Sequence, residues 1–146
     1  LSQSIAHDPA AAAQRSTRFS RLVFFIAGLY GIVLVAPEYF LEARYGIEHP
    51  PPIAHPEFYY GFVGLCLVFQ LLFLLIASDP IRYRPIMLIG IAEKLCFVIP
   101  CVVLFMGYRI PMIVVGFSLL DLVWAAFFLA AYLKTTRTCF PPGKTG

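Results

Sequence analysis

The sequence predicts an all-α integral membrane protein: a bundle of four transmembrane helices with both termini on the cytoplasmic side. Three observations carry that expectation. The chain is 60% hydrophobic and 13% charged, against roughly 45–50% and 25% in soluble domains. A protein of 146 residues has too little interior to hide so much apolar surface, so lipid must cover part of it. Four apolar runs each approach the roughly 20 residues that cross a hydrocarbon core. Lysine and arginine, finally, gather on one side of those runs.

Residues 1–18 are a polar, alanine-rich segment. The first span follows at about 19–40, preceded by Arg15, Arg18 and Arg21. A cleavable signal would want a small-x-small site, and Leu34, Ala36 and Pro37 supply a poor one, so an uncleaved span is expected. The other spans are about 58–77, 85–106 and 111–133, and a polar tail runs from 135 to 146. Backbone groups in lipid must be satisfied internally, so each run should be a helix. Prolines punctuate the boundaries. His49-Pro50-Pro51-Pro52 and His55-Pro56 break the first loop, Asp79-Pro80 closes the second span, and Pro85 suits the first turn of the third. Pro100, inside the third span, should kink it.

Orientation follows from charge. With the amino terminus inside, Arg15, Arg18, Arg21, Arg82, Arg84, Lys134, Arg137 and Lys144 are cytoplasmic, and only Arg44 and Arg109 lie outside. Eight against two is a strong positive-inside bias. The host membrane is expected to be a bacterial inner membrane. Nucleic acid is not an expected partner, because no basic run interleaves with aromatics. Cys66, Cys96, Cys101 and Cys139 show no C-x-x-C spacing, which argues against a zinc site, a disulfide framework or a thiol relay. In the first loop, Glu48, His49, His55 and Glu57 match no metal-ligand spacing, and no metal site is expected.

Four side chains are expensive where they lie: Gln70, Glu93, Lys94 and Asp121. A charge at a span's centre costs roughly 2.5–3.5 kcal/mol on insertion scales. At about 1.5 Å of rise per residue, they lie about 10, 12, 13 and 16 Å from the inner ends of their spans. Three helices thus place polar groups at one level. Trp124 shares a helix face with Asp121, and Gly28 and Gly31 could leave room opposite. The expected arrangement pairs Lys94 with Asp121 and hydrogen-bonds Glu93 to Gln70 or Tyr30. Glu93 and Lys94, being neighbours about 100° apart around the helix, are not expected to pair with each other. The ligand-binding candidates are therefore Gln70, Glu93, Lys94, Asp121, Trp124 and Tyr30. The competing structural reading is interhelical glue, or a Lys94 that snorkels to the surface.

The pattern resembles the DoxX-like group of small bacterial four-helix membrane proteins. The resemblance rests on length, four spans, and a first span reading Ala27-Gly28-Leu29-Tyr30-Gly31 and ending Ala36-Pro37-Glu38-Tyr39-Phe40. It implies a membrane module, in some members a subunit of a quinone-linked oxidoreductase. A second resemblance is to EXPERA-type four-helix proteins, which place acidic and aromatic residues around an intramembrane cavity, as Glu93, Asp121 and Trp124 could here. No site residue is carried over from either group.

Three functions fit. The first is a non-catalytic module that binds a lipid-like or quinone-like ligand, or joins a membrane complex or homo-oligomer; no cofactor is identified. The second is an isomerase-type enzyme, with Glu93 as proton donor, Asp121 as acceptor and Trp124 steadying a cation through its π face. The third is a proton-coupled exporter working through Glu93.

Overall fold

The structure, a computed structural model, describes residues 9–48 and 50–136. The elements are α1 (Pro9–Val35), a 3-10 turn (Ala36–Phe40), α2 (Glu42–Glu48), α3 (Pro56–Ser78), α4 (Arg84–Met106) and α5 (Met112–Thr136). No strand occurs among the described residues. Four of the helices are long and apolar enough to cross a membrane. Their outward faces are greasy all round: Val33, Val68, Ile99 and Leu133 are all more than half exposed. Such a surface calls for lipid as its solvent.

The helix ends show the expected proline logic. Pro56 opens α3 and Pro85 lies in the first turn of α4, where a missing N–H costs nothing. α4 stays helical through Pro100. Three features differ from expectation. α1 begins at Pro9 rather than near residue 19, because Pro9 suits a first turn and Ala10–Ala13 are the strongest helix formers. The first loop also holds a short helix, α2, which no apolar periodicity announces. The polar tail expected from 135 starts later, because Thr135 and Thr136 extend α5; the rest of it, with Arg137, Cys139 and Lys144, lies outside the described residues, as does His49.

α4 packs along α5 and α1 along α3, with a shorter α1–α5 contact closing the group. α3 and α4, although joined by a short turn, touch only sparsely. The bundle is held at both ends by polar contacts. At the end where α5 finishes, the Ser20 hydroxyl meets Thr135 at 2.9 Å and donates to the Ala131 carbonyl at 3.2 Å. Arg21 donates to the Ala77 and Ser78 carbonyls at 3.2 and 3.3 Å, satisfying the acceptors that a helix end leaves open. The Arg84 guanidinium sits 3.9 Å from the Tyr132 ring centroid, and Lys134 lies 3.9 Å over Phe19. At the opposite, loop end, Tyr59 donates to the Glu38 carbonyl at 2.8 Å and Tyr60 to the Glu42 carboxylate at 3.0 Å. These two tyrosines clamp the 3-10 turn and α2 onto α3.

The core proper is aromatic. Phe24 of α1 stacks on Phe128 of α5 with centroids 4.3 Å apart, and Phe73 of α3 meets Phe128 edge-on at 4.9 Å. All three are fully buried. Gly90 of α4 leaves room for them, since an added Cβ would stand 3.1 Å from Phe73. This plug fills the half of the bundle nearest the end of α5. Beyond it, towards the loop end, the interior is not filled.

Candidate functional site: an intramembrane cavity with a charged wall

The unfilled region is a cavity of about 430 Å³ lined by all four long helices. Its walls are mostly aromatic and aliphatic, with Tyr30 from α1, Phe69 from α3, Phe97 from α4 and Phe117 from α5 among them. Gln70, Glu93, Lys94 and Asp121 also line it. Helical geometry accounts for their meeting. α3 and α5 run antiparallel to α1 and α4, so positions at matched distances from the end where α5 finishes come to one level.

Lys94 is the hub. Its Nζ lies 3.1 Å from Asp121 Oδ1 across the α4–α5 interface and 3.2 Å from Glu93 Oε2. It donates a 3.4 Å hydrogen bond to Glu93 Oε1, and the Phe73 ring centroid is 5.5 Å away. Lys94 itself is only 8% exposed, so it does not snorkel to a surface. The expected Lys94–Asp121 pair is present. The expectation that Glu93 and Lys94 cannot pair is overturned. An angle of about 100° separates their Cβ directions, but both side chains are long enough for the carboxylate and the ammonium to meet. Glu93 does not bond Gln70 or Tyr30. The Gln70 Nε2 instead donates to the Cys66 carbonyl of its own helix at 3.0 Å, and Tyr30 packs against Trp124 at 5.8 Å between centroids.

The Glu93 Oε2 atom is closed off from solvent and accepts no hydrogen bond, although Lys94 stands beside it. Asp121 is the most open member of the group, with its side chain 25% exposed. Two carboxyl groups thus share one ammonium in apolar surroundings.

Gly28 and Gly31 were expected to leave room opposite the polar layer; Gly31 does line the cavity, and both glycines let α3 approach closely. A Cβ on Gly28 would stand 2.8 Å from the Leu74 side chain, and one on Gly31 would fall directly on the Gln70 carboxamide. Gly31→Ala should therefore push Gln70 into the cavity. The displaced group is the end of a flexible side chain, so the stability loss should be modest, about 1 kcal/mol. A Gly31→Ala/Gln70→Ala pair should recover it, as read by chemical unfolding in detergent.

No family model, curated protein or solved structure matches this chain.

Sequence reasoning missed most of the cavity's walls. Phe62, Leu65, Phe97, Phe117 and Leu120 line it, yet an apolar residue facing a void and one facing lipid look alike in a sequence. Cys66 and Cys96 are both on the wall and both free thiols. The loop-end acidic and histidine residues form separate pairs. Glu48 accepts from Arg44 at 2.6 Å, and His55 Nδ1 lies 3.1 Å from Glu57. Among the described residues, no three of His, Cys, Asp and Glu gather as a metal site would need.

Proposed function

We propose that this protein is a non-catalytic membrane module whose cavity binds one lipid-like or quinone-like molecule. The ligand's apolar body would lie among the aromatic walls and its polar end at Glu93, Lys94 and Asp121. The observation that carries the reading is the cavity itself, about 430 Å³ with a charged cluster on one wall. That volume falls in the range of ordinary small-molecule sites. Glue would need the charged cluster but not the space beside it. The isomerase reading is less well supported, because it needs Glu93 and Asp121 free to exchange protons with a substrate, and both are engaged by the same ammonium.

Organic extraction of protein purified in mild detergent, followed by mass spectrometry, tests this. An apolar molecule in near-stoichiometric amount should accompany the parent chain. It should fall away in Cys66→Phe, which places a ring in the void. Identical extracts from the two proteins would overturn the reading.

The orientation with both termini cytoplasmic belongs to the same proposal and rests on the charge bias. On a cysteine-free background, Ala54→Cys should react with an impermeant maleimide on intact cells. Ile81→Cys should react only after permeabilisation, and the reverse pattern would invert the topology.

A further inference from the structure

The hydrogen-bonding capacity of the charged wall bears on which polar groups it can receive. Its donors are largely committed. Lys94 directs its ammonium at the two carboxylates, and Gln70 gives one N–H to Cys66. Its acceptors are not. Asp121 has one oxygen engaged by Lys94 and, among the described residues, no donor reaching the other. Glu93 Oε2 makes no hydrogen bond but is closed off beside the Lys94 ammonium, so the acceptor a ligand can reach is the second oxygen of Asp121. A carboxylate can accept roughly four hydrogen bonds through its two oxygens, so capacity is in surplus there.

We infer that the cavity selects ligands whose polar end donates a hydrogen bond: a free hydroxyl, as in a quinol, a phenol or a long-chain alcohol. The corresponding ether, ester or quinone carbonyl is disfavoured. This inference rests on the binding role proposed above.

Relative strengths decide the direction. A hydroxyl given to Asp121 makes a charge-assisted bond, about twice as strong as a neutral one. An ether or carbonyl brings only lone pairs towards the free oxygen of Asp121. The donors left for it are the second N–H of Gln70, the Tyr30 hydroxyl and the Trp124 indole N–H, all on the cavity wall, and these form neutral bonds. Lys94 could turn an N–H to an acceptor only by loosening a contact to a carboxylate among apolar side chains, which is costly.

A matched pair of probes separates the alternatives: para-decylphenol and its methyl ether, which share a ring and chain and differ in the donor. The chain has a single tryptophan, and it lines the cavity. Each probe can therefore be titrated into detergent-solubilised full-length protein and followed by Trp124 emission, excited at the red edge of the indole band. The phenol should bind about tenfold or more tightly than the ether, the scale of one hydrogen bond to a charged group. Asp121→Asn should narrow that preference, with Glu93→Gln as a second variant should the first lose its helical circular dichroism. Equal binding of the two probes, or tighter binding of the ether, overturns the inference and leaves the binding role standing. A preference unchanged in both variants overturns its assignment to the carboxylates. Binding of neither probe overturns the binding role and the inference with it.

Discussion

Replacing Lys94 with methionine should destabilise the bundle by about 3–5 kcal/mol, the scale seen when one partner of a buried ion pair is removed. The loss comes less from the pair's own attraction than from what remains. Glu93 and Asp121 both lie within 3.2 Å of the ammonium, and without it two carboxylates face each other in an apolar interior. Methionine matches the lysine stem closely in volume, so packing contributes little. The triple change Glu93→Gln, Lys94→Met and Asp121→Asn should return most of the loss, because a fully neutral cluster carries no uncompensated charge. The measurement is SDS-titrated unfolding in mixed micelles, followed by far-ultraviolet circular dichroism. An unshifted midpoint in Lys94→Met would show that the three groups are not energetically coupled.

Phe128→Ala should cost about 2–3 kcal/mol in the same assay. In water such a truncation costs more, about 3–5 kcal/mol, because it combines a transfer contribution with the cavity left behind. In a bilayer the transfer contribution largely vanishes, since the unfolded side chain still lies in hydrocarbon. The dispersion contacts and the ring pairing remain. Phe128 stacks on Phe24 at 4.3 Å and meets Phe73 at 4.9 Å, and aromatic pairs contribute about 0.5–1.5 kcal/mol each beyond area. Phe128→Leu, which restores most of the volume, should lose less than half as much. A similar loss for both would assign the effect to ring pairing alone.

The two sites differ in how readily the sequence displayed them. Glu93, Lys94 and Asp121 stood out because lipid penalises charge. Once their depths agreed, Lys94–Asp121 pairing followed from helix rise alone. The Glu93–Lys94 contact did not follow, because backbone angles say nothing about where flexible side chains end. The plug of Phe24, Phe73 and Phe128 was hidden for another reason. The chain has 14 phenylalanines, and a helix that is apolar all round gives no periodicity to separate the inward face from the outward one. The four spans were legible from apolar length and proline punctuation. The early start of α1 and the small helix α2 were not, since both lie in stretches where local propensity, rather than burial, sets the conformation.

The loose seam between α3 and α4 affects how a guest could arrive. Phe62, Leu65 and Cys96, which flank that seam on the cavity wall, also face the exterior of the bundle. A hydrophobic visitor would then enter sideways from the acyl chains, never passing through water. Its availability would be set by partitioning, which gains about 0.8 kcal/mol for each methylene. Chain length would thus raise occupancy by enriching the surrounding leaflet, even where the protein itself adds no contact to the added carbons.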